Sequence, residues 1–207
     1  MLLRIVIGVA SVLYPLAIYL GLTYWEPRAV AGLLLVFVVP MAIARLRAAD
    51  AATRWVVLQA PIGIGVVAIA AWIADEGRLI LAMPVIINAI LLATFGATLR
   101  ADVSMIERFA RMIEPDLSPP EVVYCRSVTR IWCVFFVFNG AVAGLLAAFA
   151  PMAWWALYTG LLSYVLMGLL FAVEYTVRKA RFRRYGGGIH DRAFARLWPP
   201  RPLDSDG

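Results

Sequence analysis

The chain has 207 residues, 63% of them hydrophobic and only 15% charged, with a formal net charge of +6. Soluble domains run at about 45–50% apolar and about 25% charged, so this composition excludes an ordinary soluble domain and indicates a membrane protein. Two cysteines and a single histidine, His190, exclude a disulfide framework and a histidine-based metal centre; no cofactor is expected.

Six apolar segments follow in chain order, at about 5–24, 29–44, 55–74, 79–99, 131–150 and 154–177. A spanning helix needs about 20 largely apolar residues, and the second segment is short by that measure. The first lacks a small-residue cleavage site, and Tyr14, Pro15 and Tyr19 interrupt its apolar run. It is expected to be a retained helix rather than a signal peptide.

With the N-terminus in the cytoplasm, six spans return the C-terminus to the same side. The cytoplasmic stretches then carry Arg4; Arg45, Arg47 and Arg54; Arg100, Arg108, Arg111, Arg126 and Arg130; and the basic residues from Arg178 to Arg201. Only Arg28 and Arg78 remain outside, each beside acids. This is the positive-inside bias of inner-membrane proteins, and a five-span chain would break it. Trp25, Trp72, Trp154 and Trp155 fall at outer ends of spans, and Trp55 and Trp132 at inner ends, where indole rings prefer the headgroup boundary. The fold expected is all-α: a polytopic bundle of six transmembrane helices with both termini cytoplasmic. It forms one membrane domain over 1–185. A tail over 186–207, set off by three glycines and rich in prolines, is expected to be mobile.

The longest loop, between the fourth and fifth spans, holds the sequence RMIEPDLSPPEVVYCRSVTRIW. Over 102–114, Val103, Ile106, Ala110 and Ile113 recur at helical spacing with Phe109 adjoining. Asp102, Glu107, Arg108, Arg111 and Glu114 fall largely on the other side. That pattern predicts a short amphipathic helix lying in the cytoplasmic membrane interface, with Glu107 and Arg111 as an i,i+4 pair. Pro115 ends it. Ser118-Pro119-Pro120-Glu121 then has the form of a capping box with proline at the first helical position. The fifth helix is therefore expected to begin near Ser118, extending about 20 Å beyond the apolar region or tilting along the headgroups.

Several residues are candidates for function. Asn88 and Asn139 fall near the middle of the fourth and fifth spans, where an amide needs a partner. They either bond to each other as glue between helices or line a polar pocket with Ser163 and Tyr164. Arg126 and Arg130 share a helical face one turn apart, and with Arg178 they form a candidate site for an anionic head group or partner; the competing reading is snorkelling anchorage. Glu174 is the candidate intramembrane acid, with Arg178 one turn on as its natural ion-pair partner. Gln59, near the inner end of the third span, is ambiguous in the same way. Gly140 and Gly144 make a GxxxG that permits close helix contact. His190 is expected to be solvated, and Cys125, with no histidine beside it, to be an inert thiol. No P-loop, GxSxG, HExxH or nucleotide-binding glycine fingerprint occurs, so catalysis by this chain alone is poorly supported.

From about Glu107 to Arg184, phrases such as ERFARMIEPDLSPPEVVYCRSVTRIWCVFFVFNG and ALYTGLLSYVLMGLLFAVEYTVRK resemble a family of small, uncharacterised bacterial inner-membrane proteins. Members of that family are encoded beside fatty-acid-synthase-like enzymes, including those that make aryl polyene pigments. The resemblance lies in overall phrasing and not in a catalytic motif. It implies a role at the membrane in making or exporting an acyl or polyene lipid. The leading expectation is a non-catalytic inner-membrane component that docks soluble biosynthetic enzymes or an acidic acyl carrier protein on its basic cytoplasmic surface. A transporter or flippase for a lipid intermediate is the alternative, and an integral-membrane enzyme the second alternative. The partners implied are membrane lipids and such proteins, with no nucleic acid.

Overall fold

The computed structural model describes residues 15–48 and 54–183, together with 197 and 199. The start of the first apolar segment with Arg4, nearly all of the 186–207 tail with His190, and the side chains of Arg45, Arg54, Trp55 and Gln59 lie outside the described residues. Every regular element among those described is helical. In chain order they are α1 (Pro15–Tyr24), α2 (Pro27–Ala48), α3 (Arg54–Ala74), α4 (Gly77–Ile80), α5 (Met83–Thr98), α6 (Met105–Arg111), α7 (Pro119–Phe149), α8 (Met152–Leu157), a π-helical turn (Tyr158–Leu162) and α9 (Ser163–Phe182).

Among the described residues four helical stretches are long and apolar enough to cross a membrane: Pro27–Ala44, Gly77–Thr98, Pro119–Phe149 and Met152–Phe182. Pro15–Tyr24 and Pro61–Ala74 are shorter apolar helices. The second segment, short when only its apolar residues are counted, is a helix of 22 residues. Pro27 opens it at a position where a missing N–H costs nothing, and the helix continues past its apolar run into Arg47. Pro40 and Pro61 lie inside α2 and α3, which membrane helices tolerate. Val36, Phe37, Val66, Ile73, Val134, Val137, Leu145, Leu161, Leu169 and Val173 all point outward. A soluble monomer does not expose so much contiguous apolar surface, whereas lipid tails cover it without cost. The protein is built to sit in a membrane.

The fourth apolar segment is not one regular helix. Pro84 has no N–H to continue the ladder, and Val85 N–H bonds Ala82 O at 3.0 Å instead of reaching back a full turn. The freed Leu81 carbonyl takes the Trp155 indole N–H at 3.0 Å. Trp155 is therefore completely buried, at 0% exposure, and the expectation that it sits at the headgroup boundary is corrected. Trp132 is buried as well. It packs among Phe95, Phe135, Phe136 and Phe171 with ring centroids 4.6–6.5 Å apart, and that aromatic contact outweighs the interface preference. Trp25, Trp72 and Trp154 do remain exposed.

Two apolar cores result among the described residues. One gathers Ile18, Val30, Ala31, Val67, Ala68, Ala71, Ile80, Leu81, Met83, Ala147 and Trp155, joining α1–α5, α7 and α8. The other gathers Ile106, Ala110, Tyr124, Cys125, Val128, Trp132 and Phe136, with Phe95, Leu170 and Phe182 against it, joining α5, α6, α7 and α9. Between the start of α2 and the end of α3, Arg28 pairs with Asp75 at 3.6 Å.

The helix expected over 102–114 is shorter, Met105–Arg111, with Ser104 as its N-cap. Glu107 reaches back to the Ser104 N–H at 3.4 Å. Glu107 also accepts from Arg111 Nε and Nη2 at 3.0 and 2.8 Å. Its assignment to the polar outer face is thereby overturned: it is 2% exposed. Ile113, expected on the apolar face, is 84% exposed and lies beyond the regular helix, which ends at Arg111. Thr129 Oγ1 accepts from the Ile106 N–H at 3.2 Å, fixing α6 against α7. The second cap stands where the sequence places it: Ser118 N–H and Oγ both donate to Glu121 Oε2, at 2.8 and 2.7 Å. From that cap α7 runs 31 residues, about 46 Å, longer than a hydrocarbon core of about 30 Å.

Candidate functional site

Helices α5 and α7 pack closely, and GxxxG lets them approach. A Cβ on Gly140 would lie 3.1 Å from Asn88 Cβ, and one on Gly144 would lie 3.4 Å from Val85 Cγ2. Small residues one turn apart are how membrane helices approach without hydrophobic driving force. Asn139, adjacent to Gly140, then reaches its mid-span counterpart: Asn139 Nδ2 donates to Asn88 Oδ1 at 3.1 Å. Asn88 Nδ2 donates to the Pro84 carbonyl at 2.7 Å. The Tyr158 hydroxyl donates to Asn139 Oδ1 at 2.9 Å. The three side chains form one buried chain of hydrogen bonds.

Tyr158 enters from the third wall because the chain there is π-helical, with Ser163 N–H bonded to Tyr158 O across five residues. On a regular helix, positions five apart stand about 140° from each other. The wider turn brings Tyr158, Thr159 and Ser163 toward one side; such single π turns recur at functional sites. Thr159 Oγ1 donates to Trp155 O at 2.8 Å and Ser163 Oγ to Thr159 O at 3.2 Å.

These groups surround a cavity of about 110 Å³. Asn88, Asn139, Tyr158, Thr159, Ser163 and Tyr164 give it polar walls, and Pro15, Leu91, Phe136 and Met167 apolar ones. All four residues singled out in the sequence, Asn88, Asn139, Ser163 and Tyr164, line this one space. Sequence reasoning missed Tyr158, whose direction depends on the π turn, and Thr159, which stands one turn before Ser163 on the same face. The volume far exceeds the roughly 10–15 Å³ that one water requires. Ile87 and Tyr164, both in its wall, are 39% and 37% exposed, so that wall reaches the bundle's outer surface.

The arginines are not brought together in the same way. Arg126 Nη2 donates to the carbonyls of Ala101 and Asp102 at 2.8 and 3.1 Å, tying α7 to the chain leaving α5. Arg130 is exposed. Arg178 lies on a different seam, between α9 and α7. Its Nε donates to Glu174 Oε1 at 2.8 Å, its Nη2 is 3.8 Å from Cys125 Sγ, and its guanidinium stands 5.7 Å from the Tyr124 ring centroid. Glu174 therefore has the neighbour that helical spacing predicts, and the Tyr124 hydroxyl donates to its carbonyl at 3.2 Å. Cys125 is buried. Among the described residues no cluster of three His, Cys, Asp or Glu side chains could hold a metal ion. Comparisons with protein-family models, with curated proteins and with solved structures find no match to this chain.

Proposed function

We propose that the protein is a non-catalytic component of the bacterial inner membrane that binds an amphiphilic lipid, seating its polar part in the Asn88–Asn139 cavity. In this reading it carries or presents an intermediate of an acyl- or polyene-lipid pathway. It has six spans with both termini in the cytoplasm. The observation that carries the proposal is a polar-walled cavity of about 110 Å³ inside an otherwise apolar bundle. Polar groups at such depth are expensive, and a pair serving only as glue needs no open space beside it. The cavity holds a polar group rather than a whole lipid; the partly exposed Ile87 and Tyr164 mark the side along which a chain would lie. The concentration of arginines in the 45–54, 100–130 and 178–201 stretches supports the topology.

A docking platform for soluble enzymes or an acyl carrier protein is the second reading, favoured by the exposed Arg100, Arg108 and Arg130. It is the weaker one, because Arg126 and Arg178 already bond groups of the protein itself. The test is ligand-induced stabilisation. Fractions of the host's membrane lipids are added to detergent-solubilised protein and thermal unfolding is followed. A binding lipid at 100-fold its Kd stabilises by about 2.7 kcal/mol. One fraction should raise the unfolding temperature of the wild type and leave Asn139→Leu unmoved. An equal rise in both proteins would place the lipid elsewhere.

A further inference from the structure

Resting on that reading, we infer that the cavity selects an uncharged polar group able both to donate and to accept hydrogen bonds, such as the hydroxyl of a long-chain alcohol, and rejects phosphate, carboxylate and ammonium head groups. Among the described residues the lining contains no acidic or basic side chain, so an ion placed there would find no countercharge among them. An unpaired charge taken out of water costs several kcal/mol even after relaxation.

The hydrogen-bond inventory sharpens the choice. Tyr158, Thr159 and Ser163 each give their one hydroxyl proton to the protein, to Asn139 Oδ1, Trp155 O and Thr159 O. Their oxygens are left as acceptors. Asn88 and Asn139 each spend one amide proton, on Pro84 O and on Asn88 Oδ1, and each keeps a second as donor. A lining with both kinds of group and no charge complements a hydroxyl, which offers one proton and two lone pairs. A phosphate or ionised carboxylate offers only acceptors, leaving the three hydroxyl oxygens unanswered. An ammonium offers only donors. The apolar walls at Pro15, Phe136 and Met167 suit the first methylenes of the attached chain.

The experiment uses the full-length protein in phospholipid vesicles. It compares two photoreactive probes with the same chain and a diazirine near the polar end, one a primary alcohol and the other its phosphate monoester. After irradiation, adducts are mapped by mass spectrometry to peptides holding Phe136–Asn139 or Tyr158–Tyr164. The alcohol should label these peptides at least about ten-fold more than the phosphate, the ratio of one 1.4 kcal/mol difference. Thr159→Val, which keeps the shape and removes one acceptor, should reduce alcohol labelling about five-fold, as a membrane-depth hydrogen bond of about 1 kcal/mol implies. Ser163→Ala serves if Thr159→Val does not fold. Equal labelling by both probes, or alcohol labelling indifferent to these variants, overturns the selectivity while leaving a lipid site in place. Labelling by neither probe overturns the lipid site itself.

Discussion

Gly140 and Gly144 stand one turn apart on α7, yet replacing each with alanine should have opposite consequences. At Gly144 the new methyl meets Val85 Cγ2 at 3.4 Å, an ordinary contact, so the variant keeps the helix-propensity gain of about 0.5–1 kcal/mol. Gly168 on α9 has nothing within 4 Å of its Cβ position, and its alanine variant should gain the same amount. At Gly140 the methyl arrives 3.1 Å from Asn88 Cβ. Backbone-proximal atoms on both sides leave no flexible end to swing away. Overpacking of this kind costs about 1–3 kcal/mol, and moving Asn88 also strains its bond to Asn139, worth about 0.6 kcal/mol or more. Gly140→Ala should therefore be about 1–3 kcal/mol less stable than Gly144→Ala. Reversible unfolding in mixed detergent micelles, followed by tryptophan fluorescence, measures the difference. A Gly140→Ala variant within about 0.5 kcal/mol of Gly144→Ala would show that α5 and α7 do not approach where the Asn88–Asn139 pair requires.

Three further expectations follow from individual contacts. Trp155→Phe keeps an aromatic ring but strands the Leu81 carbonyl in the core and leaves a void where the rest of the indole was, and should cost at least about 1–3 kcal/mol in the same unfolding assay, against little effect from Trp154→Phe at the exposed neighbour. Glu107→Gln removes the charge that holds Arg111 and weakens the α6 cap; a loss of about 1–2 kcal/mol should appear as faster tryptic cleavage at Arg108 and Arg111, with no change elsewhere. Cysteines introduced at Glu26 or Glu76 should react with a membrane-impermeant maleimide from the periplasmic side in intact cells, and one at Asp116 only after lysis. The reverse pattern would invert the proposed orientation.

Much of this organisation was legible in the residues, and what was not has specific physical causes. The Ser118 cap, the Glu174–Arg178 pair and the meeting of Asn88 with Asn139 depend on spacing along regular helices, or on two scarce polar residues at one depth, and both can be read from order alone. The Ser104–Glu107 cap has the same S-x-x-E form and went unread because Asp102 offered an earlier start. Glu107 was assigned to the outer face by its charge, whereas the cap and Arg111 together satisfy it in a buried place. Trp132 and Trp155 illustrate a different limit. An indole at a span's end reads as an interface anchor, but a proline three positions past Leu81 frees a carbonyl for one, and four phenylalanines on three helices enclose the other. Neither event leaves a local pattern. Tyr158 was missed because a π turn rotates it relative to the rest of the helix, and no composition announces such a turn; Thr159, one turn before Ser163, could have been read from i,i+4 spacing.

The central claim is that the polar cavity holds the polar part of an amphiphile. Native mass spectrometry of the protein gently extracted from its own membrane tests it most directly, with Asn139→Leu prepared in parallel. A retained neutral lipid of defined mass on the wild type, absent from Asn139→Leu, is the predicted result. A wild-type protein that carries no specific lipid, or that instead retains an acidic carrier protein equally in both forms, would contradict the cavity and make the exposed arginines of the 100–130 stretch the functional surface.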